Sequence, residues 1–223
     1  MVKLMVLLKR KPGMSVEDFQ RYWRVRHSDV VMRLPGLRRY VQSHTRPGSY
    51  RKGEPVYDGV AEDWFDTTDA LRALAGTPEL DAVRADETNF LDAANTLSII
   101  TEERLIKDGP IPADAVKSIG FARRKPGMAV DDFQRYWREV HGPLAAQSPF
   151  VRRLVQSHTR RSIYEAGRTP PWDGAAIAWF DSTDAIRAWT ASEDFSRLLA
   201  DEPNFLAPGR PPFILTHEHV IVA

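Results

Sequence analysis

One segment of this chain occurs twice. Arg10–His27 reads Arg-Lys-Pro-Gly-Met-Ser-Val-Glu-Asp-Phe-Gln-Arg-Tyr-Trp-Arg-Val-Arg-His, and Arg124–His141 repeats it with changes only at positions 15, 17, 25 and 26. Matching of that density over so long a window marks an internal duplication. The chain of 223 residues therefore divides into two units of about 110 residues each. The expected domains are 1–109 and 115–223, joined by the one linker-like stretch, Lys107 to Ala115, which holds Gly109, Pro110 and Pro112.

Each copy predicts the same order of elements. Val2 to Leu8 is a nearly continuous apolar run, as in a strand covered on both faces. Pro12-Gly13 breaks it, and Ser15 with Asp18 resembles a capping box opening a helix to about Arg26. Val16, Phe19, Trp23 and His27 share one face of that helix; the second copy has Ala129 where the cap should be. Strands follow at Leu37 to Thr45 and Val60 to Phe65, then a short helix from Thr67 or Thr68, partial helix within Pro78 to Asp92, and a strand from Leu97 to Ile106. The second copy repeats this with strands at Lys117 to Arg123, Val151 to Thr159, Ala175 to Phe180 and Phe213 to Val222, and a helix at Val130 to Val140. The pattern β-α-β-β-α-β predicts an α+β fold of tandem ferredoxin-like units.

Composition narrows the partners. With 43% hydrophobic and 27% charged residues the chain can bury a core, and Lys+Arg 31 against Asp+Glu 30 leaves a net charge of +1, which recommends neither nucleic acid nor an anionic membrane. The absence of cysteine removes disulfides and thiolate chemistry and fits a reducing compartment. The apolar start is short, and its basic residues (Lys9, Arg10, Lys11) follow it, opposite to a signal peptide. The expectation is a soluble, cytoplasmic protein.

The residues Phe-x-x-Tyr-Trp-x-x-x-His (Phe19 to His27, Phe133 to His141), Tyr/Trp-Asp-Gly before the third strand, Trp-Phe-Asp after it, and Asp-Glu-x-Asn-Phe resemble the EthD-like family of the dimeric α+β barrel superfamily. The resemblance covers nearly the whole chain, twice. It implies an intramolecular dimeric α+β barrel, a pseudo-dimer built by one chain, that is either monomeric or a homodimer. A sheet with helices on one face leaves the other bare, and a second copy can cover it. The superfamily includes cofactor-independent monooxygenases, cyclases, dehydratases, lactone isomerases and haem proteins, so fold alone assigns no reaction.

The candidate catalytic residues are His44, His27, Glu62, His158 and His141; Tyr40, Gln42, Trp64, Gln156 and Trp179 are the candidate substrate contacts. His27 and His141 end the first helix, where they are either buried histidines whose charge the helix C-terminus favours or acid–base groups near neutral pH. His44 and His158 lie in Gln-Ser-His-Thr; that strand face is either solvent-exposed or a costly polar placement in an apolar lumen. Glu62, replaced by Ile177 in the second copy, is a surface position or an internal carboxylate of raised pKa that could activate His44. Asp86 and Asp201 are read as caps, with orientation of a histidine as the other reading; Asp58 and Asp173 are read as turn residues, and Trp23 and Trp137 as core. His217-x-His219 has a strand spacing that can hold a metal but lacks a third ligand nearby in sequence, so no metal is expected. No histidine falls in 67–92 or 182–206, where a haem ligand is expected, and no Gly-rich nucleotide motif occurs. The expected function is cofactor-free proton transfer (a dehydratase, isomerase or cyclase) on an aromatic, polyketide-like or lactone substrate, chiefly in the first copy. The other reading is a non-catalytic binding protein for a small apolar metabolite.

Overall fold

The computed structural model describes residues 1–223, the side chain of Lys52 excepted. In chain order the elements are β1 (Val2–Leu8), α1 (Val16–Tyr22), a π turn (Trp23–His27), α2 (Ser28–Val31), β2 (Leu37–Thr45), β3 (Gly59–Phe65), α3 (Thr68–Arg72), α4 (Pro78–Glu87) and β4 (Leu97–Lys107). There follow β5 (Val116–Ala122), α5 (Val130–Tyr136), a second π turn (Trp137–His141), α6 (Gly142–Ala146), β6 (Arg153–Thr159), α7 (Arg161–Glu165), β7 (Gly174–Phe180), α8 (Thr183–Thr190), α9 (Glu193–Asp201) and β8 (Phe213–Val222). Among the described residues no helix is long and apolar enough to cross a membrane.

Two compact units form, one from Met1–Ile100 with Thr216–Ala223, the other from Thr101–Leu215. Each holds an antiparallel sheet: β1-β3-β2-β8 in the first and β5-β7-β6-β4 in the second. The partition differs from the sequence repeats at 1–109 and 115–223. The end of β8 lies in the first unit against β2, with His44 opposite His217. The end of β4 lies in the second against β6, with Glu102 opposite His158. Chain order says which residues form a strand but not which edge the strand joins.

The register sorts each sheet into two faces, because residues directly opposite share a face and neighbours along a strand do not. In the first unit Asp63 pairs with Leu4 and Tyr40, and Ala61 with Val6 and Gln42, on the face that carries the helices. Glu62 pairs with Met5 and Val41, and Trp64 with Lys3 and Arg39, on the opposite face. In the second unit Ala178 pairs with Ser118 and Leu154 beneath the helices, while Trp179 pairs with Lys117 on the other side.

The Asp-Gly pairs do more than turn the chain. Asp58 is fully buried and accepts from the backbone N–H of Arg10 at 2.9 Å, from the Arg10 guanidinium and from the Tyr50 hydroxyl at 2.7 Å. Asp173 repeats this with Arg124 and Tyr164. Reading these as simple turn residues is therefore corrected: a buried carboxylate needs several donors to replace its water, and Asp58 and Asp173 tie the first strand to the loop before the third. The following glycines are required by close approach. A Cβ at Gly59 would sit 2.4 Å from the Trp23 ring, and one at Gly174 would sit 2.7 Å from the Trp137 ring.

Candidate functional site

The two repeated motifs meet side chain to side chain. His27 Nδ1 lies 2.7 Å from Asp86 Oδ2, and the Tyr22 hydroxyl donates to Asp86 Oδ1 at 2.7 Å. Asn89 donates to the Tyr22 oxygen at 3.1 Å, and Phe90 packs on the His27 ring at 4.8 Å between centroids. The second unit repeats it: His141 to Asp201 at 2.8 Å, Tyr136 to Asp201 at 2.6 Å, Asn204 to Asp201 at 2.9 Å, and His141 against Phe205 at 4.6 Å. The π turns make this possible. In a regular α-helix Tyr22 and His27 would point about 140° apart, whereas π geometry brings i and i+5 to the same side, so both reach one carboxylate. Reading Asp86 and Asp201 as caps is thereby corrected; each holds a histidine.

The electrostatics follow from burial. Burial pushes the pKa of His27 and of His141 below the usual value, with Asp86 and Asp201 opposing it. Burial pushes the two aspartates up, but hydrogen bonds from tyrosine and histidine outweigh it and leave them below the usual carboxylate range. The result is a neutral imidazole against an ionised carboxylate. Because the carboxylate takes the Nδ1–H, the basic lone pair is on Nε2. His27 does not stand at a helix C-terminus with its charge favoured, since the helix runs on through α2.

Gln42 and His44 form a second motif on the same face, buried and satisfied within the protein. Gln42 Nε2 donates to the Trp23 carbonyl at 2.9 Å and to the Tyr40 hydroxyl at 2.8 Å, so its Oε1 accepts from His44 Nε2 at 2.9 Å. His44 stacks on Trp23 at 4.2 Å. Gln156 and His158 do the same against Trp137. The exposed-face reading is corrected: all four residues are buried beneath the helix. Burial holds His44 down to about 2 and His158 to about 3.

Glu62 and His44 are not brought together. Glu62 lies on the far face, where Lys3 Nζ reaches it at 3.0 Å and Ser43 Oγ donates at 3.2 Å. Activation of His44 by Glu62 is thus corrected: one residue of strand separates opposite faces of a sheet. Trp64 lies on that far face beneath the ammonium of Lys3 at 5.1 Å, and Trp179 lies on the corresponding face of its own sheet beneath Lys117 at 5.1 Å.

A cavity of about 200 Å³ opens in the second unit between sheet and helices. Its walls are mostly apolar (Trp137, Leu154, Ile186, Trp189, Phe195, Leu198, Phe205) with His141, Gln156 and Glu202 on the lining and Arg210 beside them. Its sheet side carries smaller residues than the first copy has. Ser118, Gly120, Leu154 and Ala178 stand where the first copy has Leu4, Val6, Tyr40 and Asp63. Of the candidate residues, His141 and Gln156 therefore line this cavity. Glu202, which sequence reading passed over, does too; burial raises its pKa, with Arg210 opposing. Its signal was the residue after Asp201 in a motif present in both copies.

Among the described residues no cluster of three or more metal-ligating side chains occurs.

The EthD domain profile matches residues 11–94 and again 125–209. No curated protein matches the sequence significantly. Among solved structures, an anthrone oxidase-like protein is similar over 100% of this chain and 93% of its own, with a TM-score of 0.67 at 11% identity. A provisionally named monooxygenase from Lactobacillus acidophilus NCFM is similar over 98% and 94%, with a TM-score of 0.57 at 10% identity. A variant chlorite dismutase from Candidatus Nitrospira defluvii is similar over 97% and 91%, with a TM-score of 0.52 at 9% identity. At these identities the likeness is one of fold, and the domain match over most of the sequence settles the family: this chain belongs to the EthD family and carries the EthD domain twice.

Proposed function

We propose that the protein is a small-molecule enzyme that moves protons within the second-unit cavity, with His141 as the general base. The observation that carries this reading is the His141–Asp201 pair on the wall of an apolar cavity of about 200 Å³. A neutral imidazole can take a proton from an acidic C–H or O–H through Nε2, and the ionised Asp201 stabilises the imidazolium that forms. Glu202, its pKa raised by burial, returns the proton to a carbonyl or a departing hydroxyl. That sequence serves isomerisation, dehydration or cyclisation of an aromatic or lactone substrate. It equally supplies the first deprotonation of an oxygenation, which the oxygenase names among the fold relatives support. The same reading takes the tandem units as an intramolecular counterpart of the dimeric α+β barrel, supported by the whole-chain likeness to the solved structures above.

The test is proton exchange. Small aromatic ketones and lactones incubated with the full chain in D2O should gain deuterium at the acidic carbon, read by mass spectrometry. His141→Asn should slow this by about 10²–10⁴-fold, and His27→Asn should leave it near wild type. Retention of these compounds without exchange would instead identify a binding protein.

A further inference from the structure

Asp63 is a buried ionisable group that the reading above leaves unused. It is 5% exposed, and its Oδ1 is shut off from solvent with no hydrogen-bond partner among the described residues. A buried carboxyl oxygen without a hydrogen bond is costly, so its retention needs a reason. Its position supplies one. Asp63 sits on the helix-facing side of β3, opposite Leu4 on β1 and Tyr40 on β2, and it occupies the place that Ala178 takes in the lining of the second-unit cavity. Its surroundings correspond to the walls of that cavity. Leu4 and Val6 beneath the helices, and Leu71, Leu80 and Glu87 above them, all remain partly exposed, and their counterparts line the second-unit cavity.

We propose that the first unit holds a second small-molecule site, in which Asp63 hydrogen-bonds the acceptor oxygen of an apolar carbonyl compound. Asp63 can donate there because it stays protonated: burial first, then the charges of Glu62 and Glu87, push it up to about 8. Glu87, itself raised by burial with Arg84 opposing, and the Tyr40 hydroxyl are the other ionisable groups around it. Leu4, Val6, Leu71 and Leu80 supply the apolar walls. The two sites thus differ on their sheet side: the second-unit cavity has Ala178 there, and the first-unit site presents the Asp63 carboxyl.

The probes are acetophenone and ethylbenzene, alike in shape but only one with an acceptor oxygen. Binding is measured by calorimetry to the full chain carrying Gly120→Leu, which fills the second-unit cavity. The result is therefore independent of whether His141 catalyses anything. Acetophenone should bind about tenfold more tightly than ethylbenzene, with its infrared carbonyl stretch shifted to lower frequency. Asp63→Ala should abolish both the preference and the shift, while Asp63→Asn, which keeps an N–H donor, should retain part of each. Equal binding of the two probes, or an unchanged shift in Asp63→Ala, overturns the proposal. Should Asp63→Ala fail to fold, the parent protein decides: a carboxylic acid band that is missing from Asp63→Asn and that moves on adding acetophenone but not ethylbenzene supports the site, and a band that acetophenone leaves unmoved overturns it.

Discussion

A histidine placed where water cannot reach it must stay neutral or bring a counter-charge with it, and this chain uses both solutions. His27 and His141 have aspartates; His44 and His158 have the oxygen of a glutamine and the face of a tryptophan. For the second pair the consequence is acid lability. The folded pKa of His158, about 3, lies below the unfolded value of about 6.5. Between those limits the unfolded chain binds a proton that the folded one refuses, so stability is fully present above pH 6.5 and declines as pH falls through the window. The ceiling is about 2 kcal/mol between pH 7 and pH 5 for one such histidine. Urea unfolding of His158→Gln at those two pH values should show a smaller loss than wild type by up to that amount. An identical pH dependence in the two proteins would mean that His158 titrates normally. Much of this was legible beforehand at the level of residue type: Gln42, His44, Gln156 and His158 stood out as polar residues in a repeated strand. The partners were not legible. A strand pattern tells which residues share a face, but not that Trp23 or Trp137 would lie against it, and so Glu62 was grouped with His44 across a sheet that separates them.

The first helix of each unit shows where a period of 3.6 misleads. Its apolar spacing put Val16, Phe19, Trp23 and His27 on one stripe, and Phe19 and Trp23 are indeed buried together. The π turn then changes the phase, and His27 reaches the carboxylate that Tyr22 also reaches. No residue in Trp23–His27 is a proline or glycine, so the turn was invisible to local signals; what holds it is tertiary, with Gln42 donating to the Trp23 carbonyl and Gln156 to the Trp137 carbonyl. The cap at the other end of the helix was legible because its cause is local. Ser15 Oγ accepts from the Asp18 N–H at 3.0 Å, whereas Ala129 offers no side-chain cap. Ser15→Ala should cost about 1 kcal/mol and Ala129→Ser should gain a similar amount, read as opposite shifts of the urea midpoint at unchanged slope. Two shifts of the same sign would show that the cap is not what separates these helix starts.

At the scale of the molecule, duplication was plain from sequence, but the sequence repeats do not coincide with the compact units. Residues 1–109 look like a complete β-α-β-β-α-β set, yet in the folded chain the edge of β2 is covered by the end of β8, with Val41 opposite Val220, Gln42 opposite His219 and His44 opposite His217. A fragment ending at residue 109 lacks that strand. Its β2 would present an unpaired edge along Val41–Thr45, a stretch buried throughout in the whole protein and carrying Gln42, Ser43, His44 and Thr45. Bare edges of this kind recruit another strand. The replacement is at hand, because β4 is the first-copy equivalent of β8: Glu102 faces His158 in the second unit as His217 faces His44 in the first. Two copies of the fragment can therefore each lend β4 to the other's β2. Sedimentation equilibrium of residues 1–109 should give a dimer, or precipitation where exchange fails. Thr101→Pro, which removes one N–H from the lent strand, should weaken the dimer. A folded monomer of that fragment, stable at low micromolar concentration, would show that β2 needs no partner at its outer edge and that the strand exchange is dispensable.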